Sequence, residues 1–151
     1  MQLTIRPYAP EDFPALERIH DAARRIELHL ARLDAAFVPL CEAAQREGLF
    51  DYRVVVAQDV ENTVGFAAFT PEELAWLYVD PAHQRRGIGR ALVRYAVSQC
   101  AGQPMSVEVL CGNEPARQLY ASEGFCEREM LSGRMPGNET FCVRVHVMTR
   151  E

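Results

Sequence analysis

The chain has 151 residues, 48% of them apolar and 25% charged, and a net charge of −5 at pH 7. That length suits one domain spanning residues 1–151, which can bury roughly two-thirds of its unfolded surface and so build a real core. The acidic balance argues against a nucleic-acid binder, "MQLTIRPYAPEDF" carries no apolar run of signal-peptide length, and no stretch is long and apolar enough to cross a membrane.

In chain order, "QLTIRPY" alternates and reads as a first strand. From Asp12 to about Gly48 the spacing turns helical, through Phe13, Leu16 and Ile19 and then Ile26, Leu30, Leu33 and Phe37. Pro39 breaks the pattern, so at least two helices are expected. Glu27, Glu42 and Glu47 in this region read as solvated helix positions. "YRVVVAQD" and "NTVGFAAFT" form a hairpin around Asp59–Asn62, and "LAWLYV" follows as a third consecutive strand stopped by Asp80-Pro81. A helix opens near Gly87, with Ile88, Ala91, Leu92, Tyr95 and Ala96 on one face. "MSVEVL" is a strand. "NEPARQLYASEG" is a short helix with Asn113 as its N-cap and Gly124 just past its end. Two more strands, "FCEREML" and "TFCVRVHVMT", flank the turn-rich "SGRMPGNE". The last strand offers an edge for pairing with a second copy, a homodimer. The order β-α-α-β-β-β-α-β-α-β-β predicts an α/β fold. It is a single central mixed sheet of about seven strands, mostly antiparallel, with helices on both faces. The five cysteines (Cys41, Cys100, Cys111, Cys126, Cys142) are odd in number and form no Cys-x-x-Cys pair. That pattern predicts reduced, mostly buried thiols in a cytoplasmic protein and no metal site.

"AHQRRGIGRALV", residues 82–93, breaks a local rule. A helix begins beside Arg85, Arg86 and Arg90, with Asp80 the nearest capping residue and too far upstream. The positive end of the helix dipole repels cations by roughly 0.3–1 kcal/mol each. An anion repairs this: free backbone N–H groups, two glycines and flanking guanidinium groups together hold a phosphate. A P-loop is excluded because no Gly-Lys-Ser/Thr is present. A dinucleotide loop fits Gly87 and Gly89 but puts Leu92 where a small residue should pack, although Glu108 lies about where its ribose acid would stand. A Gln/Arg-x-x-Gly-x-Gly/Ala loop is met by Gln84, Gly87 and Gly89.

Through "LAWLYVDPAHQRRGIGRALV" and "VEVLCGNEPARQLYASEGF" the chain resembles the GCN5-related N-acetyltransferase (GNAT) superfamily. The resemblance implies that the amides of Arg85, Arg86, Gly87, Ile88, Gly89 and Arg90 hold the pyrophosphate of acetyl-CoA. It also implies that Leu77, Tyr78 and Val79 bind the pantetheine arm through their main chain, with Asn113 touching that arm or simply capping its helix. A bulged strand that splays from its neighbour would open the cleft where acetyl group and amine meet, with the Leu77 N–H as oxyanion donor. Tyr120 would protonate the leaving thiolate. Glu73, or else Glu108, would deprotonate the amine. Trp76 and Tyr78 share a face that either lines the acceptor side or packs in the core. His83 reads as a loop histidine and Glu72 as exposed. The implied activity is acetyl transfer to a primary amine by direct attack in a ternary complex. The acceptor, a small molecule or a peptide, would sit against residues 20–50 and 132–140. Alternatives are a non-catalytic acyl-CoA sensor, a transferase for protein N-termini, or one for another acyl group.

Overall fold

The computed structural model describes residues 1–151. Strand β1 (Leu3–Pro7) leads into α1 (Phe13–Leu30) and α2 (Leu40–Arg46). Then come β2 (Arg53–Asp59), β3 (Asn62–Phe69), β4 (Leu74–Val79), α3 (Ile88–Gln99), β5 (Met105–Leu110), α4 (Glu114–Ser122), β6 (Cys126–Met135) and β7 (Asn138–Arg150). The element order is the expected one. α1 stops at Leu30, so Leu33 and Phe37 belong to the irregular connection before Pro39 rather than to a helix.

The seven strands form two antiparallel sheets, β1-β2-β3-β4 and β5-β7-β6, where the sequence predicts a single one. They join at a single parallel bridge, Glu73 to Ser106, where the Ser106 N–H donates to the Glu72 carbonyl at 2.9 Å. The physical reason lies in β4. Ala68 faces Trp76 and Phe69 faces Leu74, so Ala75 is an extra residue, a bulge. A bulge bends its strand and increases local twist, which turns β4 away from β5 beyond the bridge.

Helices cover both faces. α3 packs on Val55, Ala57, Val64 and Ala67, while α1 and α2 bury Leu16, Ile19, Leu40 and Ala43 against Val54, Val56, Phe66 and Trp76. The run from Val54 to Ala57 is buried on both sides, which explains its unbroken apolar character. Gly65 makes the α3 contact close. A Cβ there would lie 3.0 Å from the Tyr78 carbonyl and 3.2 Å from both Ile88 and Leu92. This is where the small residue that Leu92 cannot supply is found. A third apolar group (Leu28, Ala36, Leu110, Met135, Val143) ties the β6–β7 hairpin to the end of α1.

Two further expectations are corrected. The turn-rich "SGRMPGNE" is mostly strand, and only Pro136-Gly137 separates β6 from β7. The cysteines are free but not buried: Cys41, Cys126 and Cys142 are exposed and the other two half-buried. Cys126 starts a strand exposed along nearly its whole length, which leaves no core there to receive a thiol. On β7 only Val143 of the expected apolar face is buried, with Phe141, Val145 and Val147 half-buried, while His146 and Met148 on the opposite face are buried.

Candidate active site

The start of α3 is as uncapped as its sequence suggests. Gly87 occupies the N-cap with φ +80° and no side chain caps it; Arg85 also has a positive φ of 64°. The backbone N–H groups of Arg85, Arg86, Gly87, Ile88, Gly89 and Arg90 donate to no carbonyl of the protein, and the first engaged amide is Ala91, to Gly87 at 3.0 Å. A Cβ on Gly87 would meet nothing within 4 Å, so the loop faces open space. Arg85 and Arg86 are exposed and form no ion pair, whereas Arg90 is committed elsewhere. Its guanidinium lies 3.4 Å from Glu123 and 3.0 Å from the Ser122 hydroxyl. Only its main chain remains for a ligand. His83 stays in the loop, 3.4 Å from Asp80, and Asp80 caps the Ala82 N–H and pairs with Arg18.

The gap between β4 and β5 runs from this loop inward. The Asp80 N–H donates to the Val64 carbonyl at 2.8 Å. Antiparallel alternation then makes Phe66–Tyr78 and Ala68–Trp76 the hydrogen-bonded pairs, which turns the N–H and C=O groups of Leu77 and Val79 to the open edge. The half of the cleft nearest the loop encloses about 250 Å³. Leu77, Tyr78, Val79, Gln84, Gly89, Asn113, Leu119 and Tyr120 line it. Its far wall is α1, through Ala23, Ile26, Glu27 and Leu30. Ile26 and Leu30 are 45% and 42% exposed, an apolar wall without a protein partner. Asn113 does two things: its side-chain oxygen accepts the Ala116 N–H at 3.3 Å, and its amide donates to Glu27 at 3.3 Å.

The second half encloses about 170 Å³. His20, Arg24, Glu47, Ala36, Val38 and Ala43 from residues 20–50, with Met135, Pro136 and Asn138 of the hairpin, close it, which is where the acceptor is expected. Glu27, Leu77, Tyr78, Glu108 and Tyr120 line both halves and so mark their junction. Tyr120 is only 7% exposed, and burial, then the negative Glu27, hold its phenol well above the ordinary tyrosine range. Tyr78 donates to Glu27 at 3.3 Å and is raised for the same two reasons. Arg24 pairs with Glu27. Burial pulls its guanidinium down, but the nearby Tyr78 and Glu27 outweigh that and keep it charged. His20 is buried against Trp76 and Tyr78, at ring separations of 6.0 and 4.9 Å, with Nδ1 2.9 Å from Asp21. Burial, opposed by the neighbouring Asp21, lowers its pKa. Trp76 and Tyr78 thus both pack in the core and line the acceptor side.

Of the two carboxylates expected as base, only Glu108 reaches the cleft. Glu73 stands at the bridge where β4 and β5 still touch, so the gap has not opened there. It accepts the Tyr52 hydroxyl at 2.8 Å and lines a separate depression with Glu47, Asp51 and Glu72. Glu27 and Glu47 are not solvated helix positions either. Burial, then repulsion from Glu139 and Glu27 against the attraction of Arg24, pushes the Glu47 carboxyl up to about 7. Glu42 does sit at the surface, paired with Arg46. A helical signal for Glu27 existed. Leu16, His20, Ala23, Glu27 and Leu30 fall on one stripe of α1, so two polar residues interrupt a face that points inward.

Residues 50–127 match the family described as acetyltransferase (GNAT) domain. Over 61 residues, 40% of this chain and 20% of the relative, the sequence is 44% identical to mycothiol acetyltransferase of Clavibacter sepedonicus. Over 53 residues, 35% of this chain and 34% of the relative, it is 43% identical to N-alpha-acetyltransferase RimI of Mycobacterium tuberculosis. The matched region is thus a fifth to a third of the length of these curated relatives. A solved GNAT superfamily phosphinothricin acetyltransferase from Sinorhizobium meliloti, in complex with acetyl-CoA, superimposes with a TM-score of 0.69 at 19% identity, covering 99% of this chain and 88% of that one. With the family matched over more than half of its length, this chain belongs to the GNAT acetyltransferase family.

Proposed function

We propose that the protein transfers the acetyl group of acetyl-CoA to a primary amine by direct attack in a ternary complex. The observation that carries this is the run of unengaged amides from Arg85 to Arg90 at the mouth of a cleft whose β4 edge exposes Leu77 and Val79. Such amides, at the positive end of a helix, suit a diphosphate. The apolar wall of Ile26, Leu30 and Leu119 suits a long arm lying between α1 and α4. Bound there, acetyl-CoA supplies the thioester.

The protein's own groups divide the chemistry at the junction. Glu108 takes a proton from the acceptor ammonium so that the nitrogen has a free lone pair. As the N–C bond forms, the Leu77 N–H stabilises charge on the carbonyl oxygen, an effect worth a few kcal/mol for one aimed donor. As the C–S bond breaks, Tyr120 gives its proton to the departing sulfur and is reprotonated by the newly bonded nitrogen, which sheds its surplus proton to become the neutral amide. Burial helps here, because a phenol kept neutral at physiological pH retains the proton it must donate. Replacement of Tyr120 by Phe should lower kcat by 10²–10⁴-fold, the usual contribution of a general acid, with little change in coenzyme affinity. Thiol release from acetyl-CoA in the presence of an amine measures it, and undiminished turnover removes Tyr120 from the mechanism. A non-catalytic acyl-CoA sensor would bind the coenzyme and release no thiol with any amine.

A further inference from the structure

The acceptor half of the cleft has an unusual charge balance. Glu27 of α1, Glu47 just past α2 and Glu108 of β5 line it, and its one guanidinium, Arg24, is already paired with Glu27. Glu47 has no hydrogen-bond or ion-pair partner. It packs against the hairpin instead: a Cβ on Gly137 would fall 2.9 Å from its Cγ and 3.1 Å from its Oε2. Glu47 also belongs to the neighbouring depression of about 480 Å³, whose other charged residues are Asp51, Glu72 and Glu73. No basic side chain lines that depression. These carboxylates are too dispersed to hold a metal ion. A second feature points to a ligand in the same place. The Tyr120 hydroxyl belongs to a side chain only 7% exposed, lines the same cavity and has no protein partner.

Two neighbouring acidic hollows that share Glu47, a half-buried carboxylate with no ion-pair partner of its own, favour an acceptor with positive charge beyond its reacting amine. The inner cavity encloses only about 170 Å³, and the hairpin tip over it is latched. Arg46 donates to the Gly137 carbonyl at 3.1 Å and Asn138 to the Ala36 carbonyl at 2.9 Å. That leaves room for an unbranched chain and no free strand edge at the tip for a peptide. From this placement we infer that the acceptor is a linear aliphatic di- or polyamine, its reacting nitrogen at Glu108 and Tyr120 and its second ammonium received by Glu47 and the acidic depression beyond.

This rests on the transferase reading above, and one series separates the two. The compounds are 1,4-diaminobutane, 1-aminobutane and 4-aminobutanoate, which differ only in whether the far end is positive, neutral or negative. With acetyl-CoA as donor, kcat/KM should favour the diamine over the monoamine by about tenfold and place the aminobutanoate last, with added salt shrinking the gap. Glu47→Gln should bring the diamine-to-monoamine ratio close to one, through KM rather than kcat, while unfolding curves show the variant folded. Equal kcat/KM for all three compounds, or a ratio that Glu47→Gln does not move, overturns the inference and leaves the transferase standing. A basic peptide acetylated better than any diamine likewise overturns it. Thiol release with none of the amines, from a protein that binds acetyl-CoA, overturns the transferase reading and this inference with it.

Discussion

Glu47 offers a test that needs no ligand. Its carboxyl is pushed up to about 7 from an ordinary 4.5, first by burial and then by Glu139 and Glu27, with Arg24 opposing. The folded pKa lies above the unfolded one. The protonated side chain is therefore fully compatible with the fold below about pH 4.5, and stability is lost as pH rises through about 7. At about 1.36 kcal/mol per pKa unit the loss is on the order of 3 kcal/mol once the group is ionised, with contact to the cleft solvent trimming it. Glutamine has nearly the same shape as the protonated acid and does not titrate. Glu47→Gln should match the wild type near pH 4.5 and exceed it above pH 8, by roughly 5–10 °C in Tm for a chain of this length. Thermal unfolding of both proteins across that range, at fixed ionic strength, reads the difference directly. If the two Tm profiles stay parallel from pH 4.5 to 8.5, Glu47 is neither desolvated nor short of a counter-ion, and the charge argument for the acceptor loses its base.

The arginines of the glycine loop divide by what they already touch. Arg85→Ala and Arg86→Ala should each weaken coenzyme affinity by roughly two- to fivefold, the effect of an exposed charge contact of about 0.3–1 kcal/mol. Arg90→Ala should leave that affinity unchanged, because its guanidinium is held by Glu123 and Ser122. Titration calorimetry separates the three variants. Gly65→Ala forces a Cβ to 3.0 Å from the Tyr78 carbonyl and 3.2 Å from Ile88 and Leu92. Overpacking of that kind costs about 1–3 kcal/mol, and a urea midpoint equal to wild type would show that α3 can shift to admit it.

The fold was legible because its signals are local. Pro39 divides the helical segment, the apolar run from Val54 to Ala57 marks a strand buried on both faces, and Asn113 and Gly124 bracket α4. The glycine loop was legible because an uncapped, basic helix start contradicts its own dipole and calls for an anion. What the sequence hid depends on long-range geometry. The bulge at Ala75 has no local signature, yet it splits the sheet and decides that Glu108 faces the cleft while Glu73, at the bridge on the near side of the bulge, does not. Glu27 and Glu47 read as solvated because a glutamate in a helical pattern usually is. Only the folded hairpin, with Met135 over Arg24 and Gly137 against Glu47, takes the water away from them.

Calorimetric titration of the protein with acetyl-CoA bears most directly on the whole reading. The amides of Arg85 to Arg90, flanked by two free guanidinium groups, predict one site per chain with a dissociation constant that rises as salt is added. The absence of any heat at low and at moderate ionic strength would mean that those six donors face water and nothing else.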